Sequence, residues 1–148
     1  MSKAVLISIR PKWCELIASG QKTIEVRKTR PQIKTPFKCY IYQTLPKSGD
    51  WNDMDGHVIG EFVCDKIEPF TAGSFGGDEN QKKACLSQEE MIGYFCEQKE
   101  LDGNTLKIGY CWHISALKIY DKPKKLSDFG VNRAPQSWRF INDSDKRI

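Results

Sequence analysis

The chain contains no apolar run approaching the roughly 18 residues that a membrane-spanning helix requires. Histidine is scarce: His57 and His113 are the whole supply, and none of the six cysteines stands in a C-x-x-C pair. No local set of metal ligands exists, so no metal is expected. Also missing are the G-x-S-x-G nucleophile turn, the phosphate-cradling loop that ends in Gly-Lys-Ser/Thr, and the G-x-G-x-x-G dinucleotide fingerprint. These absences remove support for acyl transfer at an elbow serine, for nucleoside triphosphate hydrolysis and for hydride transfer, and no cofactor is implied. The opening MSKAVLISIRP has its apolar run broken by Arg10 and lacks a small-residue cleavage site, so it does not read as a secretory signal. With the cysteines dispersed, reduced and mostly buried thiols in a cytoplasmic protein are expected. No internal repeat and no linker-like stretch divides the chain, and 148 residues suit one domain spanning 1–148.

Charge is plentiful but segregated. Residues 1–47 carry a net +8, residues 48–102 a net −9 and residues 103–148 a net +5. If the two chain ends pack on one side, they form a basic face suited to phosphates; otherwise they form a mixed solvated surface.

Ala4–Ile9 (AVLISI) has the continuous apolar character of a buried strand. Pro11 suits the first turn of a helix, where its missing N–H costs nothing, and Trp13, Leu16 and Ile17 make one apolar stripe. Gly20 is placed to end that helix in a left-handed cap. From Lys22 the period becomes two: Ile24 and Val26 take one face, and Thr23, Glu25 and Arg27 share the other. Further strands are expected over Phe37–Gln43, Val58–Ile67 and Lys107–Tyr120. Gly60 marks a bulge or a close backbone approach. The Gly-rich stretch 69–84 is expected to be a mobile loop. Ser87 and Glu90 form a capping box that opens a helix running to about Gln98, Asp102-Gly103-Asn104 reads as a turn, and a helical turn is expected near Leu126–Phe129.

Several groups suggest chemistry, each with a plainer alternative. Lys22, Glu25 and Arg27 beside one glycine corner suit an anionic or nucleotide ligand, or else an exposed intra-strand ion pair. Arg10 and Lys12 flank Pro11, where cations oppose the helix dipole; phosphate binding or simple exposure accounts for them. Tyr40 and Tyr42 are ordinary strand residues or base-stacking ones. His113, inside an apolar strand, reads as a core histidine rather than a catalyst.

The N-terminal strand, the Pro-started helix and Gly20-x-Lys22-x-x-Glu25-x-Arg27, with the later pair GHVIGEFVCDKIEPF and YCWHISALKIYDKPKKLSDF and the PQSW near the end, resemble the ASCH domain, in its bacterial and phage branch. The resemblance implies an α+β, PUA-like fold: a mixed β-barrel of five to seven strands with two to three flanking helices and a loop/helix insertion at about 69–105. It implies a module that binds RNA or a nucleotide or nucleoside in a cleft at the first helix–strand corner. Ligand-binding residues on this reading are Arg10, Lys12, Lys22, Thr23, Glu25, Arg27 and Arg30, with Tyr42 or Trp138 stacking on a base. Some relatives resemble enzymes, an acetylcytidine amidohydrolase and a ribonuclease among them. A metal-independent hydrolase using Lys22 and Glu25 is therefore the alternative, although the amidohydrolase branch has threonine where this chain has Glu25. A third option is an unspecified protein partner for the acidic middle segment.

Overall fold

The structure, a computed structural model, describes residues 3–47, 49–71, 77–99, 103 and 105–143. In chain order it runs β1 (Lys3–Ile9), α1 (Pro11–Ala18), β2 (Ile24–Arg27), β3 (Phe37–Gln43), β4 (His57–Thr71), α2 (Gly77–Ala84), α3 (Gln88–Ile92), β5 (Cys96–Lys99), β6 (Thr105–Lys124), a 3-10 turn (Leu126–Phe129) and β7 (Trp138–Asn142). Among the described residues no helix is long and apolar enough to cross a membrane.

One mixed sheet holds these strands in the order β2-β6-β4-β3-β1-β7, with β5 also on β6. Among the described residues only β1 and β3 pair in parallel. With β3 on one side and β7 on the other, β1 is central and its two faces are both covered. Val5, Ile7 and Ile9 enter one core cluster, with Phe37, Phe62 and Trp112, while Ala4 and Leu6 enter another, with Tyr40, Tyr42 and Phe129. Hence its unbroken apolar run. A third cluster under α2 and α3 joins Ile24, Val26, Phe70 and Met91.

The expected barrel is met only in part. No ladder pairs β2 with β7 among the described residues, so the sheet stays open and side chains bridge its ends. Arg27 Nη1 donates to Ser137 Oγ at 3.1 Å, and Trp138 Nε1 donates to Thr29 Oγ1 at 3.0 Å.

Local expectations hold where one residue type dictates backbone geometry. Gly20 adopts φ +83° one residue beyond the α1 cap, and Ser87 and Glu90 form their reciprocal cap. The β4–β6 register shifts between Val58 and Gly60. A Cβ on Gly60 would come within 2.5 Å of the Lys118 carbonyl oxygen, so this close backbone approach needs glycine.

Three expectations are corrected. The stretch taken for a mobile loop continues β4 to Thr71 and then forms α2; its central residues, 72–76, lie outside the described ones, as do Asp102 and Asn104 of the expected turn. The helix opened at Ser87 ends at Ile92 rather than near Gln98, because the chain turns at Gly93 and enters β5 against β6. Finally, β2 begins at Ile24, two residues after Lys22, and its polar face is not turned to solvent: Glu25 is 5 % exposed.

Candidate functional site

Parallel pairing of β1 with β3 brings Ile9 level with Gln43, so the residues that follow each strand emerge side by side. Arg10 caps α1 in extended conformation without a side-chain bond, and Thr44 N–H donates to Ile9 O at 3.0 Å. Between these two exits opens a pocket of about 480 Å³. Ser8, Arg10, Pro11 and Trp13 form one wall and Thr44–Lys47 another; Glu25 and Arg27 come from β2, with Tyr94 and Gln136 completing the lining. The volume is within the usual range for a small-ligand cleft, about 300–1,000 Å³.

Beside and beneath this pocket lies a buried charge chain. Glu25 Oε2 accepts from Arg27 Nη2 at 2.9 Å, and Glu25 Oε1 stands 3.5 Å from Lys22 Nζ. Burial works to raise the Glu25 carboxyl, but Arg27 first and Lys22 second outweigh it and hold it below the ordinary carboxylate range. Lys22 is 1 % exposed, and burial lowers its ammonium below the usual lysine value against the pull of Glu25. The Tyr94 hydroxyl is raised, by burial and then by the Glu25 charge.

Arg27 is heavily committed. Nη2 donates to Ser8 O at 2.7 Å and to Glu25, and Nη1 donates to both Ser137 Oγ and Ser137 O. Its Nε is buried without a partner among the described residues. The guanidinium thus ties β1, β2 and the approach to β7 together at the pocket wall.

Lys22 is not among the pocket-lining residues. Its ammonium donates to Ala84 O, the last carbonyl of α2, where a cation also complements the helix dipole. It further lies 4.9 Å from the Trp13 ring centroid. Thr23 N–H donates to Lys83 O at 2.8 Å, so Lys22 and Thr23 together dock α2 onto β2.

The remaining expected residues scatter. Lys12 is exposed, with its Nζ 4.5 Å from the Trp13 ring centroid. Arg30 braces its own loop through Pro31 O and Ile33 O. Tyr42 is 8 % exposed within the cluster on the other face of β1 and β3, where it packs as a core side chain. Trp138 is half-buried in an edge-on stack with Trp112 and Phe140. His113 is half-buried rather than a core residue, its Nε2 paired with Glu68 Oε1. The pocket therefore gathers Arg10, Glu25 and Arg27 from the expected set and leaves out Lys12, Lys22, Thr23, Arg30, Tyr42 and Trp138.

Sequence reasoning missed Ser8, Trp13 as a wall, Thr44–Lys47, Tyr94 and Gln136. A parallel β1–β3 pairing inferred from the sequence would have placed Thr44–Lys47 beside Arg10. No sequence signal distinguishes Tyr94 from an ordinary core aromatic, because its position depends on the chain turn at Gly93.

Comparison with known proteins places these features in context. A family model described as the ASCH domain matches residues 7–100. The fold is similar to the crystal structure of ASCH from Zymomonas mobilis, with a TM-score of 0.70 at 21% identity, covering 94% of this chain and 87% of that one. A mutant form of the same Zymomonas mobilis protein also superposes with a TM-score of 0.70, at 20% identity over 99% of this chain and 93% of that chain. Among curated proteins, a 139-residue stretch is 23% identical to part of ATP synthase subunit alpha from Ureaplasma parvum serovar 3. That match spans 94% of this chain but 15% of the longer protein.

Proposed function

The chain belongs to the ASCH domain family, and from that premise we propose that it binds single-stranded RNA or a nucleotide in the pocket between the ends of β1 and β3. The observation that carries this reading is the pocket's make-up. Arg10 and Lys47 are exposed cations without a protein partner among the described residues, and they border a cleft of about 480 Å³ that is also lined by the Tyr94 ring and by Trp13, whose ring the Lys12 and Lys22 ammoniums approach. Cations grip the phosphates and aromatic rings receive bases, a combination that tolerates many sequences. Arg27 and Lys22 contribute by shaping the wall and by docking α2, respectively. We read residues 1–148 as one such domain of the bacterial and phage branch, barrel-like in outline and cytoplasmic, with 69–105 as its insertion. Hydrolysis at Lys22 is not favoured, since its ammonium is engaged by Ala84, Glu25 and Trp13 outside the pocket lining.

Titration with single-stranded RNA over a range of salt concentrations tests the proposal. The wild-type protein binds at low salt, and Arg10→Ala with Lys47→Ala weakens binding and flattens the slope of log K against log salt by roughly 0.7 per lost phosphate contact. Absence of binding at low salt, or a double variant that binds like the wild type, overturns it.

A further inference from the structure

The pocket is electrically uneven, and that unevenness orients whatever nucleotide enters it. This step rests on the nucleotide-binding reading above. Arg27 lines the pocket, yet both its terminal nitrogens already donate to Ser8, Glu25 and Ser137, and the Glu25 carboxylate, shared with Lys22, lies against it at 2.9 Å. A phosphate entering at this level would find both terminal nitrogens taken and the unpartnered Nε buried, and would meet an ionised carboxylate instead. The pocket-lining cations without a partner among the described residues are Arg10 and Lys47, both exposed. Phosphate therefore belongs outside, between these two residues.

Inside, Glu25 is an acceptor-only group. Its oxygens take one strong bond from Arg27, a longer approach from Lys22 Nζ at 3.5 Å and a 3.3 Å bond from Val26 N–H. A carboxylate has about four acceptor directions, so one remains for a ligand donor. The Tyr94 hydroxyl, with no hydrogen-bond partner among the described residues, lies in the same lining. A base edge carrying an amino group satisfies the carboxylate directly, as an exocyclic amine does when read by Glu or Asp in nucleic-acid grooves. The uracil edge offers one ring N–H between two carbonyl oxygens, and a carboxylate repels both.

We infer that the pocket holds a nucleotide with its base inward and its phosphate outward, and that Glu25 makes it selective for amino-bearing bases over uracil.

Calorimetric titration of the wild-type protein with CMP, AMP, GMP and UMP at low salt tests this inference. At least one amino-bearing nucleotide binds about tenfold tighter than UMP, the lower range of what a matched base-edge contact discriminates. A CMP analogue dimethylated on its exocyclic amine falls back to the UMP level, a control that leaves the protein untouched. Glu25→Gln, checked for folding by circular dichroism, narrows the gap between CMP and UMP, and Arg10→Ala weakens all four nucleotides alike. Equal affinity for UMP and the three others overturns the inference while leaving nucleotide binding intact. Failure of every monophosphate, with single-stranded RNA still bound, also overturns it. Failure of the monophosphates and RNA together overturns the functional reading itself.

Discussion

Replacing Glu25 by glutamine removes one negative charge at nearly constant volume. The carboxylate is 6 % exposed in its side chain, and it faces Lys22 at 0 % and Arg27 at 13 %. Taking it away leaves a fully buried ammonium beside a mostly buried guanidinium, neither facing a carboxylate, which costs about 3–5 kcal/mol where one partner of a buried pair is lost. For a chain of this size that lowers the melting temperature by roughly 6–20 °C, at about 2–4 °C per kcal/mol. Urea unfolding followed by circular dichroism measures it. The effect has a pH signature. The folded carboxyl is depressed below its ordinary value of 4.5, so its stabilising contribution is fully present above that value. It fades as pH falls through the folded value, and wild type and variant converge in acid. Adding Lys22→Met to Glu25→Gln removes the stranded ammonium and restores at least about 1 kcal/mol. A single variant that loses less than about 1 kcal/mol, the value of a solvent-exposed pair, refutes the idea that this triad is a buried unit.

Substitutions at two further positions probe the framework. Gly60→Ala drives a Cβ to 2.5 Å from the Lys118 carbonyl oxygen and 3.0 Å from Ile119 Cδ1, so it destabilises by about 1–3 kcal/mol in denaturant titration; a neutral result would mean that β4 and β6 are farther apart at the bulge. Ser87→Ala removes the hydroxyl that accepts from Glu90 N–H at 3.1 Å and costs about 1 kcal/mol, read in the same assay, while Ser87→Asp retains the cap and stays close to wild type.

What was legible in the sequence was what local chemistry decides. The run AVLISI, the Pro11 start, the Gly20 cap and the Ser87–Glu90 box each report a backbone state fixed by a few neighbouring residues, and each appears where expected. The polar trio on β2 was also legible, but its exposure was not. Alternation assigns residues to a face without saying what covers that face, and here α2, about sixty residues away in the chain, lies over Lys22 and Thr23. The same limit explains the missed walls of the pocket. Thr44–Lys47 and Tyr94 reach Arg10 only through a parallel pairing and a turn that no neighbouring residues encode. Tyr42, read as a stacking residue, obeys its strand period and packs inward.

An open sheet exposes to the solution the hazard that a closed one hides: unpaired edge backbone can recruit a second chain. The edges of this sheet are β7, with five residues, and β2 and β5 side by side on β6, with four each, against fifteen and twenty in β4 and β6. An exposed positive side chain stands at each end, Lys28 directly after β2 and Arg139 on β7. Two copies approaching edge to edge would bring like charges together along strands too short to repay the encounter. Part of the basic character of the chain ends is thus accounted for without any ligand, as insulation that keeps the sheet from growing.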